Sequence, residues 1–232
     1  MNNLTSLRRT FKNKTLFDQA LTHRSWPNEH KLIRESNERL EFLGDAILDF
    51  LVTKDLYDRL PDKNEGYLTA LRAKIVNTKN LYEIAKRLNL GNHIFISKGE
   101  EERGGRQSEY ILADTIEAII GAIFLDSGIK KSEDFVRIHI LSTLEEKLNE
   151  PLKDPKSALQ EYTSTHKLGR PKYEVVKETG PDNAKEFTIA VKINNKIFGK
   201  GTGKTKQAGE QEAASIALKK VADGLRQKNV VK

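Results

Sequence analysis

The stretch NERLEFLGDA, residues 37–46, sets Glu38, Glu41 and Asp45 among Leu40, Phe42, Leu43 and Ala46. At about 100° per residue the three acids fall within roughly one third of a helix circumference. A second apolar run, ADTIEAIIGA (113–122), sets Asp114 and Glu117 three residues apart, and Glu65 opens a third helical stretch. If these helices pack together their carboxylates converge, and two such charges about 4 Å apart repel by about 4 kcal/mol at an effective dielectric near 20. Something positive has to offset that. One answer is a hard divalent cation, for which Asp and Glu oxygens are suitable ligands and Mg2+ the usual occupant beside phosphates. Gly44 and Gly121 fit this answer, because glycine inside a helix costs about 1 kcal/mol relative to alanine and is best explained by close helix approach. Two blander answers stay open: arginines such as Arg39 and Arg72 pair with the acids, or the acids lie on a solvated face.

Other chemistries find little support. With no cysteine there is no thiolate nucleophile, disulfide framework or thiolate metal site, which suits a reducing cytosol. No GxSxG elbow occurs, and the five histidines are scattered without ligand spacing. His23, in LTHRSW, reads as a hydrogen-bonded packing residue. FGKGTGKT resembles a P-loop superficially, but Phe198 stands where that loop needs glycine and the strand order is wrong, so no nucleotide cofactor is expected.

The elements that must position these residues follow from hydrophobic period. Residues 1–148 read as helical almost throughout: LFDQALTHRSW, NERLEFLGDAILDFLVTKDLYDRL, EGYLTALRAKIVNTKNLYEIAKRL, YILADTIEAIIGAIFLDSG and SEDFVRIHILSTLEEKL space apolar residues by three and four. PDKNEG, NLGNH and GEEERGGRQ supply stops. NEPLKDP, with two prolines, reads as a linker. Beyond it come helical KSALQEYTSTHKL, alternating KYEVVKE, EFTIAVKI and KIFGKG, then helical QAGEQEAASIALKKVADGL. Asn194 and Asn195 supply a tight hairpin turn between the last two strands. The fold class is therefore α+β in two domains: an all-α domain, then a small α-β-β-β-α domain whose helices cover one sheet face.

Charge separates the same two parts. From Asp154 onward there are 16 Lys or Arg against 9 Asp or Glu, so the whole surplus of +7 lies there. Such a localised excess points to a face that binds a polyanion. GKGTGKTKQAGEQEAA gathers Lys200, Lys204 and Lys206 at a helix start, where backbone N–H groups already favour phosphate. A-form RNA would offer this module shape and 2′-hydroxyls rather than readable base edges, with strong salt dependence. No apolar run approaches the roughly 18 residues of a membrane span, and the N-terminus does not read as a secretory signal, so a cytoplasmic protein without a membrane partner is expected.

NERLEFLGDA, EGYLTALRAKIV, KGEEERGGR and ILADTIEAIIGAIFLDSG resemble the motifs of bacterial ribonuclease III, and residues 155–225 resemble a double-stranded RNA-binding domain. The resemblance implies a homodimeric, Mg2+-dependent endonuclease (Mn2+ substituting) that cuts both strands of duplex RNA, leaving 5′-phosphates and short 3′ overhangs, and that processes ribosomal, messenger and transfer RNA precursors. It implies a dimerising catalytic domain over 1–148, a linker over 149–154, the binding domain over 155–225 and a tail over 226–232. Carried over by motif, Glu41, Asp114 and Glu117 hold metal, Asp45 and Glu117 are catalytic, and Glu38 and Glu65 are further acids of the cleft. In the binding domain Gln160, Thr163 and Ser164 are expected to face one minor groove, the loop containing Asn183 the next, and Lys204 and Lys206 the phosphates between. Asn183 stands where the family loop usually carries histidine, Gln207 replaces a usual lysine and Gly209 a usual alanine.

A non-catalytic RNA-binding or ribosome-assembly protein of the same fold is the rival reading. Loss of an acid from the set Glu41, Asp45, Asp114, Glu117 would favour it, and all four are present. A metal phosphohydrolase of small substrates would leave the basic module without a task.

Overall fold

The computed structural model describes residues 4–30, 34–149, 154–181 and 184–229. The chain divides into two compact units, Met1–Leu152 and Lys153–Lys232.

The first unit is helical: α1 (Leu4–Thr10), α2 (Lys14–Ala20), α3 (Trp26–Glu29), α4 (Glu38–Arg59), α5 (Glu65–Val76), α6 (Thr78–Arg87), α7 (Lys98–Glu102), α8 (Glu109–Ser127), α9 (Ile129–His139) and α10 (Leu144–Asn149). Helix α8 is its axis. Ile111, Leu112, Ala113, Ile116, Ala118, Ile119, Ile120, Ala122 and Ile123 are all buried, so it is apolar nearly all round and other helices must surround it. Leu48, Leu51, Val52 and Leu56 of α4 pack into the same core as Leu71 and Ile75 of α5 and Leu81 and Ile84 of α6. Each such side chain contributes about 1.5–3 kcal/mol of transfer free energy.

Three expected helices are interrupted. The segment 16–26 breaks after Ala20 because Thr22 forms a parallel bridge with Phe95, diverting the backbone into a tertiary contact. The segment 65–88 splits at Asn77, which is extended (φ −67°, ψ 156°) and accepts from the Asn80 N–H to cap α6. The segment 132–148 passes through a 3₁₀ turn at Leu141–Thr143, where the Thr143 hydroxyl bonds the Ile140 carbonyl (2.7 Å). The expected stop at GEEERGGRQ contains short α7, capped by Ser97.

The second unit comprises α11 (Pro155–Thr165), β1 (Lys172–Thr179), β2 (Glu186–Ile193), β3 (Lys196–Gly203) and α12 (Lys206–Asn229). The sheet is antiparallel in the order β1-β2-β3. Asn194 and Asn195 turn the hairpin with φ of 49° and 63°, left-handed values that Asn tolerates and a type I′ turn requires. Leu159 of α11, Ile189, Val191 and Ile193 of β2, and Ala213, Ala214, Ala217 and Val221 of α12 form the core. The alanines let α12 lie close on the strands. Asp154 caps α11 by accepting from the Lys156 and Ser157 N–H groups. Residues 150–153 of the expected linker lie outside the described residues. Helix α12 continues to Asn229, beyond residue 225 where the sequence reading ends the binding domain.

Candidate metal centre and nucleic-acid interface

The acids owe their meeting to the crossing of α4 and α8. Gly44 and Gly121 bring the two backbones together: a Cβ at Gly44 would overlap the Glu117 carbonyl and come within 3.0 Å of the Gly121 nitrogen. Glu41 and Glu117 each lie about one turn before these glycines and so face each other. The start of α4 is fixed as well, since the Asn37 N–H donates to the Thr22 carbonyl (2.8 Å) and its side-chain amide to the Ala20 carbonyl (3.3 Å).

One carboxylate oxygen from each of Glu41, Asp114 and Glu117 lies within 4.8 Å of the others. Among the described residues no hydrogen bond or salt bridge engages these three side chains or that of Asp45. The arginine alternative fails here. Arg72 donates instead to the Thr53 hydroxyl (3.0 Å), and Arg39 pairs with none of the four acids.

The cost of assembling unpaired acids shows in their protonation. Burial, then the charges of Asp45, Asp114, Glu41 and Asp49, push the Glu117 carboxyl up to about 8. Burial, and then Asp114 and Glu38, raise Glu41, with Arg24 opposing. Burial also raises Asp114, again against Arg24, and burial followed by Asp49 raises Asp45. Converging hard oxygens without an internal cation suit a divalent ion. Asp45 stands outside the group of three but close enough for its charge to raise both Glu41 and Glu117.

Sequence reasoning missed Asp49 and Arg24. Asp49 continues the spacing of four from Glu41 and Asp45 on α4, a signal present in the sequence; Arg24 reaches the acids only through the fold. Glu38 accepts from the Ser36 hydroxyl (2.9 Å) and lies 4.0 Å from Arg24, beside the group rather than in it. Glu65 is not brought to the acids within this chain: it is exposed at the start of α5 and accepts from the Thr69 hydroxyl (3.0 Å). His23 has the expected packing role. Its Nδ1 faces the Ser25 hydroxyl (2.9 Å) and accepts from the Ser25 N–H (3.3 Å).

On the second unit, Gln160, Ser164, Lys167, Gly169 and Arg170 surround a shallow recess with Thr163 at its floor. Gln160 and Ser164 are exposed. Thr163 corrects the sequence reading: it is buried, with its hydroxyl bonded to the Gln160 carbonyl (3.0 Å), and packs rather than facing a groove. Lys167 and Arg170, overlooked in the sequence, flank the exposed pair. Lys204 lines a second recess with Thr179, Gly180, Lys185 and Phe187, and Lys206 lies over the Phe187 ring (5.6 Å). Thr205 caps α12 through the Ala208 N–H (3.1 Å). Asn183 lies outside the described residues. Gly209 sits where α12 crosses the sheet: a Cβ there would come within 2.8 Å of Ile189 Cγ1, a close approach that accounts for glycine in place of alanine.

A helical unit that gathers unpaired carboxylates, followed by a basic α-β-β-β-α module, defines a two-part protein suited to acid-cluster chemistry on a polyanion. Family models agree: residues 13–144 match "Ribonuclease-III-like" and residues 155–221 match "Double-stranded RNA binding motif". The chain is 41% identical over 204 residues to Ribonuclease 3 of Natranaerobius thermophilus, covering 88% of this chain and 89% of that protein. It is 42% identical over 215 residues to Ribonuclease 3 of Streptococcus mutans, covering 92% and 93%. The nuclease domain of ribonuclease III from Campylobacter jejuni, described for flexibility in a region involved in dimer formation, superposes with a TM-score of 0.55 at 43% identity, covering 60% of this chain and 93% of that one. The chain belongs to the ribonuclease III family. As a member it is an endoribonuclease specific for double-stranded RNA.

Proposed function

We propose that this endoribonuclease hydrolyses phosphodiester bonds of duplex RNA with Mg2+, or Mn2+ in its place, held by Glu41, Asp114 and Glu117, yielding 5′-phosphates and short 3′ overhangs. The observation that carries the metal assignment is the convergence of three carboxylate oxygens from two helices with no cationic side chain paired to them. When bound, the ion supplies Lewis acidity that lowers the pKa of water and offsets charge on the reacting phosphate. The residues do the rest. Glu41 and Asp114 orient the site from α4 and α8, and Glu117, the most strongly perturbed of the acids, would have to be deprotonated to serve as a ligand. Either Asp45, exposed at the edge of the group, or Glu117 would accept the single proton released by the attacking water. Glu38 shapes the mouth of the cleft, to which Glu65 contributes only through assembly.

Gln160 and Ser164 on α11 and Lys204 and Lys206 at the start of α12 hold the duplex by shape and phosphate charge. The active form is a homodimer. Phe42 is 82% exposed and Leu125 55%, and both line one recess with Leu16 and Leu43, an apolar surface that a second copy would cover. The RNAs processed are ribosomal precursors and some messenger and transfer RNAs, in the cytoplasm; among the described residues no helix is long and apolar enough to cross a membrane.

Incubation with long duplex RNA, with and without EDTA, followed by sizing of products, tests the reading. Short duplex products that vanish with EDTA are expected. Cleavage that continues in EDTA would overturn the metal assignment.

A further inference from the structure

Arg24 stands beside the carboxylates with its backbone fixed and its guanidinium exposed and only loosely engaged by Glu38. The flanking backbone is pinned: the His23 N–H donates to the Phe95 carbonyl (3.0 Å) and the Trp26 N–H to the His23 carbonyl (2.9 Å). The Ser25 hydroxyl accepts from the Ser97 N–H (3.0 Å). By contrast the Arg24 side chain is 72% exposed, and its ion pair with Glu38 is loose at 4.0 Å. Its charge reaches Glu41 and Asp114 and opposes the effect of burial on both. Arg24 lines an open recess with Ser36, Glu38, Arg34 and Arg39. Arg34 is committed elsewhere, with its guanidinium 4.2 Å from the Phe95 ring centre and 4.0 Å from Asp18.

The carboxylates create an electrostatic difficulty for substrate. An RNA strand entering among Glu38, Glu41, Asp45, Asp114 and Glu117 brings further negative charge on each side of the bond to be cut. A divalent ion held by the trio would offset charge at the phosphate it meets, and not along the rest of the strand. The neighbouring phosphate needs its own cation, and a fork of N–H donors matches phosphate oxygens bidentately.

On the reading of the carboxylate site given above, we infer that Arg24 binds the RNA phosphate adjacent to the scissile one and so sets the strand in register with the carboxylates. Its fixed backbone, its 72% exposed head and the reach of its charge to Glu41 and Asp114 distinguish it from the other arginines of the recess: Arg34 is largely covered and lies against the Phe95 ring, and Arg39 also borders the apolar recess of Phe42 and Leu125. The contact is to the backbone, so it operates at any base sequence.

The test is steady-state cleavage of a duplex RNA of fixed length by the full chain over a series of salt concentrations. The proteins compared are the parental protein, Arg24→Ala and Arg24→Lys. Arg24→Ala should lower kcat/KM at physiological salt by about tenfold or more, chiefly through KM. The slope of log kcat/KM against log salt should become shallower by about one. Arg24→Lys should restore the slope but only part of kcat/KM, because an ammonium is a point charge. The thermal unfolding midpoint should stay unchanged, since the side chain is exposed. A parental slope in Arg24→Ala, whether or not the rate falls, overturns the inference and leaves Arg24 as a neutraliser of neighbouring acids. If the parental protein fails to cut duplex RNA, the underlying functional reading falls and this inference with it.

Discussion

Gly44 and Gly121 form a reciprocal contact: a Cβ on either would overlap a backbone carbonyl of the other helix, Glu117 for Gly44 and Leu40 for Gly121. The obstacle is backbone in both directions, so no side chain can swing aside. Gly44→Ala should therefore destabilise the chain by about 1–3 kcal/mol or more, exceeding the roughly 1 kcal/mol that alanine gains in helix propensity. It should also weaken divalent binding, because Glu41 and Glu117 are carried on the displaced turns. Gly66→Ala is the control, since its Cβ would meet only Asn64 Oδ1 at 3.7 Å. Urea unfolding of the two variants should differ in sign; equal stability would remove the glycine contact as the device that assembles the acids.

Glu117→Gln separates chemistry from binding. The amide keeps the volume and one oxygen but loses the negative charge that, with Glu41 and Asp114, would hold a divalent cation. Cleavage of duplex RNA should fall by on the order of 10²–10³-fold or more, while binding in Ca2+ stays within a few fold because the basic module is untouched. Gel-shift and cleavage assays on one RNA decide it. Parental cleavage by the variant would dismiss Glu117 as a ligand.

The same residue sets a pH dependence. Its carboxyl titrates near 8 in the fold against an ordinary 4.5 in the unfolded chain. Between those values the folded metal-free protein binds the extra proton, so stability falls as pH rises, by at most about 1.4 kcal/mol per unit and less because the side chain keeps some contact with water. Below about 4.5 this contribution is fully present; above about 8 it is gone. Unfolding midpoints in EDTA should drop across this window in the parental protein and drop less in Glu117→Gln. Mg2+ affinity should rise over the same window, since binding expels the proton. Calorimetric titration showing pH-independent affinity would contradict this.

Much of this was legible in the sequence because it is local. The carboxylate spacing on α4 and α8, the embedded glycines and the Asn194–Asn195 turn are each decided within a few residues. What escaped was set by distant partners. The apolar spacing of 16–26 continues past the point where Thr22 leaves the helix for Phe95. Thr163 has the spacing of an exposed face yet is buried as the floor of a recess. Arg24 gains its place beside Glu38 through a tertiary contact, the Asn37 N–H on the Thr22 carbonyl, that periodicity does not show. Asn77 and Asp49 are different, since a cap signal and a spacing of four were both there to be read.

Lys204 and Lys206 allow a prediction about the basic module alone. Both are exposed at the junction of β3 and α12, and Lys206 is oriented by the Phe187 ring beneath it. Neither has an acidic partner among the described salt bridges, so replacing them removes cationic charge without exposing a buried acid. Lys204→Ala with Lys206→Ala should weaken duplex RNA binding in Ca2+ by similar factors for unrelated sequences, and reduce the slope of log affinity against log salt by about two. The variant should still cleave at low salt, where long-range attraction to the remaining basic residues substitutes for the two contacts. A loss confined to one RNA sequence would mean that these lysines read bases. An unchanged slope would place the phosphate-binding face elsewhere on the module, with the recess bordered by Lys167 and Arg170 as the next surface to alter.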